Sequence, residues 1–170
     1  AKDNVKIIAI DNANEMLEIA KEKSKDFNTD SIIDFQLDDA ENLTFSDNSF
    51  DAVTVGFGVR NFEDLKKGLS EMYRVLKPEG QIVILETAVP QTIISKIGYF
   101  LHTNLLIPFL GLVIAKNSNA YKYLSKSAKN FPHGERFKEI LNETGFCDVA
   151  IESETFWVVN IYSANKLINN

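Results

Sequence analysis

Three short segments hold residue types whose spacing could do chemistry. The first is Asp11, which closes the apolar run at residues 5–10. A carboxylate at the carboxyl end of a strand can accept two hydrogen bonds from a ribose diol. Asp11 or the neighbouring Asn12 can equally cap a helix starting near Ala13. The second is Asp38-Asp39-Ala40-Glu41. A carboxylate beside a backbone N–H offers the acceptor and donor that an adenine edge complements, and the same residues can form a solvated acidic loop. The third is Gly56-Phe57-Gly58-Val59-Arg60-Asn61. Its glycines allow close approach of bare backbone or positive φ. Arg60 has a permanent charge and five donors, which suit either an oxyanion or a structural clamp. Asn61 could cap a helix beginning at Phe62.

The elements that must position these tips follow from periodicity. Residues 5–10 are β-branched and almost continuously apolar, which suits a strand buried on both faces of a parallel sheet. Ala13, Met16, Leu17, Ala20 and Ser24 recur at helical spacing, with lysines on the other face. Residues 32–37 and 50–57 read as further strands, separated by the turn composition Ser46-Asp47-Asn48-Ser49. A helix is predicted over 62–77, stopped by Pro78-Glu79-Gly80, and a strand over 81–86. The alternation signals an α/β domain with a largely parallel sheet. The tail differs. Residues 93–131 are helical and aromatic-rich, 134–143 form a short helix, and 149–156 with 158–164 form an antiparallel hairpin. Residues 1–170 are read as a single domain.

Composition narrows the function. The net charge of -6 argues against phosphate-backbone binding, so no nucleic-acid partner is expected. A lone cysteine, Cys147, excludes an internal disulfide and favours a reducing, cytoplasmic setting. With only His102 and His133 beside it, no metal-ligand spacing arises, and Cys147 reads as a small buried hydrophobe. None of the eight glycines makes a dinucleotide fingerprint, since Asn61 stands where a third glycine would fall after Gly56-Phe57-Gly58. The apolar stretch 99–115 is interrupted by His102, Asn104 and Pro108 and is short for a membrane span.

Taken together, the segments resemble a known family. Ile8-Ala9-Ile10-Asp11 with Met16-Leu17, and Asp39-Ala40-Glu41 with residues 45–51, are similar to motifs of class I S-adenosylmethionine-dependent methyltransferases. Phe57-Gly58-Val59-Arg60-Asn61 followed by Met72-Tyr73-Arg74-Val75-Leu76-Lys77-Pro78 is more specific. It resembles the UbiE/MenG ubiquinone and menaquinone C-methyltransferases, as do Tyr121-Lys122-Tyr123-Leu124 with Ser127 and Thr155-Phe156 before Val158-Val159. The resemblance implies a Rossmann-like sheet, mostly parallel with the carboxyl-terminal hairpin. It also implies methyl transfer from S-adenosylmethionine to a quinol ring carbon, demethylmenaquinol first. By resemblance Asp11 would hold the ribose, Asp39 and the Ala40 N–H the adenine, and Gly56 would pass close to the cofactor. Arg60 and Asn61 would face the quinol, and residues 93–115 would cover a polyprenyl tail. A lipophilic substrate implies peripheral contact with the inner membrane face.

The chain departs from the family's pattern in two ways. The first strand and the glycine-rich loop that approach the methionine moiety would precede Ala1, and Trp157 stands where the family commonly has glycine. The sequence is therefore expected to be an amino-terminal truncation, inactive and weak in cofactor binding alone. The absent strand belongs between the strands at Val5 and Phe50. Its gap is expected to be filled by another segment, by a second copy in a homodimer, or by direct pairing of its neighbours. Two other readings compete: a methyltransferase of the same fold acting on a sterol or another small molecule, and a non-catalytic association module.

Overall fold

The computed structural model describes residues 5–88, 127, 130–154 and 159–168. Its strands are β1 (Ile7–Asp11), β2 (Ile33–Leu37), β3 (Phe50–Gly56), β4 (Leu76–Thr87), β5 (Phe146–Glu154) and β6 (Val159–Lys166). Among the described residues the helices are α1 (Asn14–Asp26), α2 (Leu65–Val75) and α3 (Glu135–Glu143), and a 3-10 turn spans Val59–Asn61. Tail residues 93–115, 121–124 and 155–158, which carry several of the expected motifs, lie outside the described residues.

Strands form two sheets, β1-β2 and β3-β4-β6-β5. β1 pairs β2 in parallel, and β3 pairs β4 in parallel. β6 runs antiparallel to both β4 and β5. The expected terminal hairpin is therefore present, but its second strand is inserted between β4 and its own partner instead of adding to the edge. Only β6 runs against the direction of its sheet, so the fold is mixed α/β with mostly parallel strands.

Local chemistry explains the boundaries. α2 starts where the Asp64 side chain accepts from the Lys67 N–H at 3.0 Å. It ends where Leu76 turns extended, two residues before Pro78. Its last carbonyls are satisfied from the other end of the chain: the buried Lys166 ammonium donates to the Tyr73, Arg74 and Leu76 carbonyls. The predicted helix end at 76–77 is thus strand, because Leu76 pairs with Phe50 and opens β4 early. A Cβ at Gly80 would lie 2.8 Å from the Lys77 carbonyl and 3.1 Å from that of Asp51, so only glycine fits there.

The core lies under the four-stranded sheet. Leu69 and Met72 of α2, Phe137 and Leu141 of α3, and Ile82, Ile84, Tyr162 and Ala164 of the sheet are all buried. Phe137 packs edge-on against Tyr162, ring centroids 4.7 Å apart.

Two expectations are corrected. Residues 5–10 were predicted to be buried on both faces, yet Val5 and Ile7 are 62% and 40% exposed. The reason is geometric: β1 has one hydrogen-bonded neighbour, β2, so half its surroundings are open among the described residues. Direct pairing of the strands flanking the gap does not occur either, since β1 and β3 fall in separate sheets.

Candidate functional site

Ligands of open α/β sheets sit at the carboxyl ends of the parallel strands. Asp11 is the last residue of β1, and its register partner is Leu37, the last of β2. The Asp38 N–H donates to the Asp11 carbonyl at 3.2 Å, which brings the first two tips side by side. Asp11 does not act as a helix cap by side chain. The N-cap of α1 is Ala13, and Asp11 Oδ1 instead accepts from the Ala13 N–H at 2.8 Å. Asp39 Oδ1 accepts from the Glu41 N–H at 2.9 Å. Both carboxylates are therefore held by one local backbone donor. Ala40 is half-buried against the core of the larger sheet.

Sequence reasoning gave Glu41 no role of its own, yet it ties the acidic loop to the third tip. Its two carboxylate oxygens accept from the Glu63 N–H at 2.7 Å and the Asp64 N–H at 3.0 Å. Arg74 holds the rest of that loop on α2. Its guanidinium donates to the Phe45 and Leu43 carbonyls, to Asp47 and to Glu71. A single rim thus runs from Asp11 through Asp39 and Glu41 to the 3-10 turn.

At the third tip Gly56 ends β3, paired with Leu85. A Cβ there would meet nothing within 4 Å. Of the two roles open to the glycines, close approach or positive φ, Gly56 offers the first, and the positive φ falls on Phe57 (φ 56). The Phe57 N–H is fixed to the Leu85 carbonyl at 2.8 Å, so the chain must turn at Phe57 to enter the 3-10 turn. Asn61 was considered as the cap of the next helix. It lies inside the 3-10 turn instead, its amide 3.5 Å from the Phe57 carbonyl, and Asp64 takes the cap.

Arg60 sits beside Glu86, a residue the sequence reading treated only as the end of a strand. The Arg60 Nη1 donates to Glu86 Oε1, and the Arg60 N–H lies 3.4 Å from Oε2. Glu86 also accepts from the Thr87 N–H at 2.7 Å and the Thr87 hydroxyl at 3.1 Å. The guanidinium stands 5.7 Å from the centroid of the Phe57 ring. Across the sheet, Asn160 is the register partner of Glu86 and donates to the Tyr162 hydroxyl at 2.9 Å. That hydroxyl also accepts from the Gly134 N–H at 2.7 Å. Burial pushes the Tyr162 phenol up, so it stays protonated. A polar string therefore crosses β4 and β6 beneath the rim.

Beside Arg60 lies a cavity of about 360 Å³ lined also by Val59, Phe62, Leu65, Ser127, Asn130 and Phe131. Its size is that of a small-molecule site. Cys147 lies away from this rim in sequence and sheet position. Burial, then the nearby Asp148, push its thiol up, which argues against a thiolate nucleophile.

Known proteins can now be compared with this geometry. Residues 1–166 match the model of the ubiE/COQ5 methyltransferase family. A Bacteroides fragilis protein named demethylmenaquinone methyltransferase is 42% identical over 94% of the chain, which spans 65% of that relative's length. A Rickettsia prowazekii protein named ubiquinone/menaquinone biosynthesis C-methyltransferase UbiE is also 42% identical, over 98% of the chain and 68% of its own length. The fold is that of a crystallised S-adenosylmethionine-dependent methyltransferase from Aquifex aeolicus. It matches with a TM-score of 0.67 at 17% identity, over 98% of this chain and 71% of that one. With the motifs at Asp11, Asp39 and Gly56 to Asn61 gathered on one rim and the family model matched almost end to end, the chain belongs to the ubiE/COQ5 methyltransferase family.

Proposed function

We propose that the protein methylates a ring carbon of a lipophilic quinol, with S-adenosylmethionine as donor and demethylmenaquinol as acceptor. The observation that carries this is the continuous rim. Two preset carboxylates, Asp11 and Asp39, stand at one end, and an arginine beside a largely aromatic and aliphatic cavity with a few polar groups stands at the other. The name of the Bacteroides fragilis relative supports the naphthoquinol over the benzoquinol.

The residues present fit the cofactor. Gly56 leaves open space where any side chain would project, at the end of β3 next to the turn that carries Arg60. When bound, S-adenosylmethionine supplies an electrophilic methyl group on a sulfonium. Asp11 accepts from the ribose hydroxyls, and Asp39 with the Ala40 N–H takes the adenine edge. Each carboxylate is already oriented by a backbone N–H, so little freedom is lost on binding. Arg60 and Asn61 face the quinol oxygen. As that hydroxyl loses its proton, charge moves toward the adjacent carbon, and the Arg60 donors stabilise the oxygen or orient the water that takes the proton. Approach to the methyl is then a matter of positioning. The same reading places the protein in the cytoplasm against the inner membrane face, where a polyprenyl substrate resides.

Methyl-labelled S-adenosylmethionine and demethylmenaquinol test the proposal. Assayed with the full-length protein, of whose relatives this chain spans about two thirds, label should appear in the quinone fraction. Asp11→Asn should weaken cofactor binding about ten- to hundredfold, the range expected for lost charge-assisted hydrogen bonds. Saturable cofactor binding with no label reaching any quinol, or equal transfer to a sterol, would overturn the substrate assignment.

A further inference from the structure

Glu86 is fully buried at the carboxyl end of β4 and has no part in the reaction as derived above. A carboxylate out of water is tolerated when its oxygens are paired, and here Arg60 and Thr87 do so. Arg60 is itself nine-tenths buried. It forms part of the cavity wall, and its Nε is buried with no hydrogen-bond partner among the described residues. The two charges offset each other in a wall that also carries Ser127 and Asn130.

We propose that Glu86 is a positioning residue that sets the charge of the ring the cavity accepts. By pairing with Arg60 it makes the guanidinium a directional donor in place of a free cation. The cavity then takes a neutral hydroxylated aromatic ring and discriminates against an aromatic carboxylate of the same size. The ring's class rests on the quinol reading; the charge preference rests on the ion pair. A nine-tenths buried guanidinium without its carboxylate would attract any anion strongly, because screening is weaker away from bulk water. Such binding would hold a ground-state anion and would not speed the reaction. With Glu86 in place the pull on a preformed anion is largely cancelled. The paired guanidinium still offers N–H donors that can hydrogen-bond a hydroxyl oxygen, which suits the neutral ring.

The probes are 1-naphthol and 1-naphthoate, titrated near neutral pH. The unmodified chain should bind the naphthol about tenfold or more tightly than the naphthoate. Equal affinity, the reverse order or no binding of either would overturn the proposal. Glu86→Gln keeps the side-chain shape and leaves the Arg60 charge uncompensated. The preference should then swing toward naphthoate by about tenfold or more. The double variant R60Q/E86Q should restore the parental order. A ratio unchanged in folded E86Q would overturn the proposal, because loss of structure alone weakens both probes together. If circular dichroism shows E86Q unfolded, the parental ratio and the double variant still decide the matter. Methyl transfer is followed in parallel. Transfer without the charge preference removes the role of Glu86 and leaves the quinol reading standing. The preference without transfer does the opposite.

Discussion

β1 and β4 read almost alike in sequence, Ile7-Ile8-Ala9-Ile10 against Ile82-Val83-Ile84-Leu85. In the structure they differ sharply. Ile82 and Ile84 are buried, whereas Ile7 is exposed and no residue of β1 is fully buried. The difference lies in neighbours. β4 has a hydrogen-bonded partner on each side, and its buried face packs with α2 and α3. Among the described residues β1 is hydrogen-bonded to β2 alone and packs mainly with β2 and α1. A two-stranded sheet is marginal in water unless something covers it. Burial therefore belongs to the position in the sheet, and an apolar run states only that the position will be demanding. The site straddles this divide. The carboxylates proposed for adenosine stand on the weak sheet, and the Arg60–Glu86 pair stands on the strong one.

The comparison breaks most visibly in the core. Phe137→Ala removes a ring packed against both Phe131 and Tyr162, and it should cost about 3–5 kcal/mol in denaturant unfolding. Ile7→Ala, at a half-open position, should cost less than about 1 kcal/mol. Equal costs would mean that β1 is as well covered as β4, and the contrast between the two sheets would fail.

How far the sequence could reveal this depends on distance along the chain. The loop tips were legible because an apolar run followed by Asp11, by Asp39, or by Gly56 is a local signal of a strand end. The helix cap was read at Asn61 but fell at Asp64, since a 3-10 turn occupies 59–61 and moves the helix start by one short turn. Glu86 was not legible. It looks like a strand terminus, and its meaning comes from Arg60, 26 residues earlier, and from Asn160 on β6. The insertion of β6 between β4 and β5 was hidden for the same reason: periodicity marks strands and turns but carries no information on which strands become neighbours.

A smaller effect sharpens the junction between the two halves. Hydrogen bonding from Arg74 holds the Glu71 carboxyl below its usual value of 4.5. Because the folded value is depressed, the stabilisation is fully present above the unfolded value. It is lost as pH falls through the folded one. The Tm of the parent should therefore drop faster than that of Glu71→Gln as pH falls below about 5 and on through the depressed folded value. Parallel curves would show that the strap from α2 to residues 43–47 adds nothing to acid stability.

The smallest expected effect concerns Phe57, where the strong sheet hands over to the turn. A left-handed backbone costs a residue with a side chain about 1–2 kcal/mol, and asparagine tolerates that conformation better. Phe57→Asn should relieve part of that strain while losing the ring beside Arg60, a contact worth about 0.5–1 kcal/mol. The two terms oppose each other, so the net change in unfolding free energy should stay within about 0.5 kcal/mol of zero. A net change that small would mean the left-handed turn is kept for the ring itself, which is 40% exposed at the rim beside Arg60. The kinetic companion measurement then decides. An unchanged Tm with a raised KM for the quinol locates the ring in substrate recognition, whereas a fall in Tm of several degrees with unchanged KM makes Phe57 a packing residue and nothing more.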